Sequence, residues 1–97
     1  MNEVACTVHA TRESFEAAGP GAIQFFTSYG RDEDSRPVGM LSKCPGCGHE
    51  SSMDFKPRPS PSWEWDGNLE KPTLSPSVNC VGCCQWHGYL VRGKWFK

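Results

Sequence analysis

Cys44-Pro45-Gly46-Cys47-Gly48 and, further along, Cys84-Gln85-Trp86-His87 are the stretches on which the fold turns. A C-x2-C turn aims two thiolates at a point about 2.3 Å away, where a zinc ion sits, and its glycines permit the tight backbone. One such turn supplies half of a tetrahedral site. The other half must come from among Cys80, Cys83, Cys84 and His87. Cys80 with Cys83 gives a four-cysteine ribbon, Cys84 with His87 a three-cysteine, one-histidine site, and mixed choices such as Cys83 with His87 keep the same chemistry. Cys84 and His87 are the preferred pair, because they run directly into a terminal hairpin that can face the first turn. Closing the long interval between the halves costs only about 0.6 kcal/mol per doubling of loop length.

Composition explains why a metal is needed. The chain has 97 residues, a hydrophobic content of 37%, Gly 10, Pro 8 and Cys 6, so its apolar core is small and calls for a staple. Residues 1–97 form a single domain, with a variable N-terminal helix and strand part over 1–39 and a zinc-binding β part over 40–97. No apolar run reaches the roughly 18 residues of a membrane span, and Met1-Asn2-Glu3-Val4 resembles no signal peptide. A cytoplasmic setting follows as the expectation, and there cysteine pairs read as metal ligands before disulfides. Net charge is −1, too even for a strongly basic nucleic-acid binder.

Outward from the two turns, the elements follow from pattern. Met40-Leu41 and Ser51-Ser52-Met53-Asp54-Phe55 read as a hairpin with the cysteines at its tip. Val4, Cys6, Val8 and Ala10 alternate as one half-buried strand, Thr11 caps a short helix ending at Gly19-Pro20-Gly21, and Ala22 to Tyr29 reads as a strand. Gly30 to Pro37 is an exposed charged loop, Lys56 to Ser62 an extended connector, and Pro72 to Ser77 an irregular stretch. Gly88 to Val91 and Lys94 to Phe96 flank a tight turn at Arg92-Gly93. The expected architecture is a small α+β chain, mainly antiparallel β, zinc-ribbon-like, with one short N-terminal helix.

Catalytic patterns are sparse. The H-x-E of a zinc deaminase is missing, since Ala10-Thr11 follow His9. Asp54, Glu64, Asp66 and Glu70 show no pairing, and Ser75 and Ser77 lack a G-x-S-x-G context. Four available ligands make the zinc structural, because a catalytic ion keeps one position open.

A long middle motif, Trp63-Glu-Trp-Asp-Gly-Asn-Leu-Glu-Lys-Pro-Thr-Leu-Ser-Pro-Ser77, lies between Cys44-Pro-Gly-Cys47-Gly48 and Cys84-Gln-Trp-His87. In this arrangement the chain resembles a domain family of small phage, prophage and bacterial proteins, often mislabelled ammonia monooxygenase in phage genomes. Some relatives place C-x2-H at the same point, which adds weight to Cys84 and His87. Others lie near bacterial ubiquitin-like conjugation genes or among phage genes, so the resemblance implies a host or phage context and no particular reaction. The expectation is a zinc-stabilised interaction module, phage-encoded and acting as monomer or homodimer, that binds and modulates a host protein complex, with Trp63, Trp65, Arg58, Lys71, Trp86 and Arg92 as its contact residues. The alternatives are a nucleic-acid binder using Lys56, Arg58, Lys71, Arg92, Lys94 and Lys97, and a zinc-dependent hydrolase.

Overall fold

A computed structural model describes residues 3–27, 37–56, 58–59, 61–79 and 84–97. Its described strands are β1 (Glu3–Ala5), β2 (Thr7–Val8), β3 (Ala22–Thr27), β4 (Pro37–Lys43), β5 (Glu50–Phe55), β6 (Ser62–Trp65), β7 (Leu74–Asn79), β8 (His87–Val91) and β9 (Lys94–Phe96), with α1 (Arg12–Ala17) between β2 and β3. They pair in the order β1-β9-β8-β7-β6-β5-β4-β3-β2. The two ends of that order, β1 and β2, are separated in the chain by Cys6 alone. Both edges of the sheet must therefore lie within one residue's reach, and the sheet curls into a nearly closed barrel. The seam at Cys6 is tied on both sides: its N–H donates to the Gly93 carbonyl at 3.0 Å, and the His9 N–H donates to that of Ile23 at 2.9 Å.

This corrects the expected zinc-ribbon-like α+β architecture: the chain is nearly all sheet, and the cysteine hairpin is one corner of a barrel. The N-terminal alternation that reads as one strand breaks at Cys6 into β1 and β2, which pair with β9 and β3 respectively. The outer edge of the terminal hairpin is consequently covered by β1. Pro72 to Ser77 holds more regular structure than its prolines suggest. Leu74 opposes Trp65 on one side and Leu90 on the other, and the register with β8 then shifts before Val78 meets Gly88. The shift lets a proline-bearing segment stay within the sheet. Ser28 to Arg36, which includes most of the charged loop, lies outside the described residues.

Inward-facing residues fill the barrel: Ile23, Met40, Met53, Phe55, Leu74, Val78, Leu90, Trp86 and Trp95 form one buried cluster together with Cys44. Trp86 and Trp95 meet edge to face with centroids 5.9 Å apart. The Trp95 indole N–H donates to the Gly21 carbonyl at 3.0 Å, so its polar tip is satisfied inside the core. Trp95→Ala is expected to destabilise the fold by about 3–5 kcal/mol, the usual range for emptying a buried aromatic site, measured by denaturant melts. Trp63 and Trp65 are half-buried, and Trp65 stacks on Phe55 at 5.0 Å.

Helix α1 is held from outside itself, as a helix of two turns must be. Thr11 Oγ1 accepts from the Ser14 N–H at 3.1 Å, giving the expected N-cap. At the other end Lys43 Nζ donates to the carbonyls of Glu16 and Ala18, both at 2.9 Å, placing a cation on the negative end of the helix. Phe15 is fully buried beneath these contacts.

The middle motif folds around its own side chains. Asp66 Oδ1 accepts from the N–H groups of Asn68 and Thr73, and Asn68 Oδ1 from those of Glu70 and Lys71. The Thr73 hydroxyl then accepts from the Arg92 N–H at 2.8 Å, and Pro72 O from that of Gly93 at 2.9 Å. Arg92 and Gly93 have φ of 50° and 77°, the paired positive values of a two-residue hairpin turn that follows the sheet's twist. Much of the Asp-Gly-Asn-Leu-Glu-Lys-Pro-Thr segment is thus a scaffold for this end of the barrel.

Candidate active site and metal centre

The first turn forms as its sequence requires. Lys43 opposes Glu50 at the end of the β4–β5 ladder, and the Cys44 N–H donates to the His49 carbonyl at 2.9 Å while the Gly48 N–H returns to that of Cys44 at 2.8 Å. The Gly46 N–H points at Cys44 Sγ, 3.3 Å away, the arrangement that offsets negative charge on a sulfur. Cys84, just before β8, completes a group: the Sγ atoms of Cys44, Cys47 and Cys84 all lie within 4.8 Å of one another. Cys44 and Cys84 approach to 3.6 Å, close to the roughly 3.8 Å between sulfurs on a tetrahedral zinc with 2.3 Å bonds.

The donor set and its spacing suit a metal ion such as zinc. Desolvation first, and then hydrogen bonds to the Cys44 and Cys47 thiols, push the Cys84 thiol up to about 11, so this sulfur would become a thiolate most readily with a cation beside it. Gly46 is part of the fit, because a Cβ there would come within 2.7 Å of Cys84 Sγ and 3.2 Å of the Trp86 ring. Gly46→Ala is therefore expected to weaken zinc binding by about 10-fold or more, read by competition with a chromogenic chelator. Cys6 lies apart from the cluster, and burial pushes its thiol up to about 12, in keeping with a small apolar filler.

His87 is placed elsewhere than in the thiol group. Its Nε2 lies 2.8 Å from Ser77 Oγ, across the β7–β8 pairing in which Asn79 opposes His87. Cys80 and Cys83 fall outside the described residues, so the described group contains three sulfurs. Ser77 is half-buried, and its carbonyl accepts from the Trp63 indole N–H at 3.0 Å. Both Ser77 and Trp63 line a cleft of about 430 Å³ that also takes in Ser51, Ser52, Met53 and Asn79, a size typical of ligand sites. Ser77 therefore borders the cleft while its hydroxyl meets an exposed imidazole outside the lining, and an imidazole in hydrogen-bond reach of a serine can serve as its base.

A second serine–histidine contact exists: His9 Nδ1 lies 2.7 Å from Ser14 Oγ, with Thr7 Oγ1 2.9 Å from His9 Nε2. It sits on an exposed surface where α1 meets the barrel seam.

The other residues expected to make contacts are dispersed. Trp86 is in the core, Trp63 on the cleft, and Trp65 in an aromatic stack with Phe25 and Phe55. Arg58 is exposed and paired with Asp54 at 3.4 Å. Lys71 and Arg92 lie by the hairpin turn, at the opposite end of β8 from His87. The Ser77–His87 contact is hidden in the sequence for a physical reason. G-x-S-x-G marks a strand-to-helix elbow, whereas here the serine stands on a strand and meets its histidine across a shifted register, which no local spacing encodes.

The nearly closed barrel thus carries a cluster of three cysteine sulfurs and, apart from it, a serine–histidine contact whose serine borders a cleft. The model of one family, described as bacterial ubiquitination-like system serine protease (BubE), matches residues 13–97, and the chain belongs to that family. No curated protein and no solved structure matches it. That family description overturns the expected phage-encoded module that modulates a host complex, and the alternative of a hydrolase is nearer to it. No described helix is long and apolar enough to cross a membrane.

Proposed function

We propose that this chain is a serine peptidase in which Ser77 is the nucleophile and His87 its base, acting at the C-terminal tail of a ubiquitin-like protein. The observation that carries the reading is the 2.8 Å contact between His87 Nε2 and Ser77 Oγ at the edge of the cleft. Two features favour this pair over Ser14 and His9. Residues 77 and 87 lie within the family match, whereas His9 precedes its start at residue 13. Ser77 also borders a cavity, and Ser14 is exposed.

In the reaction, Ser77 Oγ attacks the scissile carbonyl carbon as His87 Nε2 takes the hydroxyl proton. The C–N bond breaks, the proton passes from His87 to the leaving amine, and the acyl group remains as an ester on Ser77. A water that gives its proton to His87 then hydrolyses that ester, releasing a carboxylate and restoring the pair. Cys44, Cys47 and Cys84, with a fourth donor from Cys80 or Cys83, would hold zinc as a closed structural site; its chemistry there is to bind the β4–β5 turn to the start of β8. Cys84 is three residues before His87, so the staple also fixes the base. Were His87 the fourth ligand instead, it would have to leave Ser77.

The test is incubation of the zinc-loaded protein with a ubiquitin-like modifier extended beyond its C-terminus. Mass spectrometry is expected to find the modifier as a free carboxylate, together with the released extension. A zinc-dependent hydrolase would instead keep its rate in a Ser77→Ala variant.

A further inference from the structure

Among the described residues the barrel wall is incomplete beside Ser77. Among the described residues, strand β6 pairs with β5 at Asp54 and Phe55, and with β7 at Ser75 and Leu74. Toward the thiol cluster, β5 continues through Glu50 to Met53 and β7 through Ser77 to Asn79. Among the described residues no strand pairs with either segment on the facing side. The cleft of about 430 Å³ occupies this interval, with Ser51, Ser52 and Met53 on one flank, Ser77 and Asn79 on the other, and Trp63 at its head.

The backbone of both flanks is turned toward the interval. Lys56 N–H donates to the Trp63 carbonyl at 2.8 Å, so the even-numbered peptide groups on this side of β5 face β6. Strand alternation then aims that of Ser52, which lines the cleft, toward it. On β7 the Ser77 carbonyl accepts from the Trp63 indole at 3.0 Å, which marks the same side, and alternation adds Asn79. Four residues of β5 span about 13 Å at 3.3 Å each, the length of a short extended peptide. Apart from His49, the lining side chains carry no titratable group, and several are serine hydroxyls.

We propose that the cleft binds substrate as an added strand: an extended, uncharged segment with small side chains lies between β5 and β7 in line with β6 and completes the barrel. Its main chain bonds to the peptide groups of Ser52 and Asn79, and one of its carbonyls is brought to Ser77 Oγ. Main-chain pairing supplies affinity, and walls without a lysine, arginine or carboxylate offer a charged side chain no partner. The placement of the scissile bond rests on the peptidase reading above; the strand site does not.

Amide hydrogen exchange followed by NMR on the zinc-loaded, full-length Ser77→Ala protein tests it, with millimolar acetyl-tetra-alanine amide as the probe. Exchange at Ser52 and Asn79 is expected to slow by about fivefold or more. The same peptide N-methylated at every residue, and acetyl-tetra-lysine amide, should leave both amides unchanged. No slowing at these positions, slowing confined to other amides, or equal protection by the N-methylated peptide overturns the proposal. If the alanine peptide protects both amides and the unmutated protein cleaves no substrate, the peptidase reading fails and the strand site stands. Cleavage without that protection removes the strand site and leaves the peptidase standing.

Discussion

Ser77→Ala lowers the rate of substrate cleavage by about 10⁴-fold or more and keeps a cooperative melt, moved down by no more than about 10 °C. The two halves of this expectation come from different features of one side chain. Ser77 Oγ is the only atom of the residue given a chemical role, and alanine removes it without altering the β7 backbone or the Trp63 contact to the Ser77 carbonyl. The lost hydrogen bond to the exposed His87 contributes only about 0.5–1.5 kcal/mol to stability. His87→Ala should cost a similar factor in turnover, and the double variant no more than either single one, because a nucleophile and its base fail as a unit. Steady-state kinetics on the three variants, alongside thermal melts, decides the matter. Additive losses, or a Ser77→Ala enzyme with its rate intact, would point to a different nucleophile. Ser14→Ala serves as the contrast and should leave turnover unaltered.

Removing the metal has the largest effect on the fold. Zinc in comparable small thiolate sites supplies about 10–16 kcal/mol of apparent folding free energy, against a total stability of about 5–15 kcal/mol for an ordinary domain. Here the site joins residues 44 and 47 to residue 84, and Cys44 is itself part of the buried cluster. Stripping the ion with a strong chelator under reducing conditions is expected to abolish the cooperative melt, and Cys44→Ser to do the same without chelator. Trp95, which sits fully buried beside Trp86, reports the change through its fluorescence. A chelated protein that melts as before would show that the barrel's apolar interior suffices alone. The contrast with Ser77→Ala separates the two sites: one variant loses chemistry and keeps its shape, the other loses both.

What the sequence discloses about this protein divides by distance along the chain. The cysteine hairpin, the Thr11 cap and the Arg92-Gly93 turn are local, and each is written in residues that touch one another within a few positions. Barrel closure is not local. It depends on Val4 opposing Trp95 in β1 and β9 while Val8, only four positions later, opposes Ile23 in β3. Period-two alternation through Val4, Cys6 and Val8 looks the same whether the strand is whole or divided between two edges. The site shows the same division. The three sulfurs are visible as C-x2-C with a distant cysteine, because metal ligation constrains residue type strongly. Ser77 and His87 are visible as residues but not as a pair, since His87 reads equally well as a ligand four residues after Cys83 or three after Cys84. Only the register between β7 and β8 decides which neighbour it has.

A fluorophosphonate probe followed by peptide mass spectrometry tests the central claim most directly, because it reads nucleophilicity at one atom and needs no knowledge of the substrate. The account predicts a single covalent adduct on Ser77 in the zinc-loaded protein, lost in His87→Ala. An adduct on Ser14 or any other serine, or labelling of Ser77 that persists without His87, would contradict it.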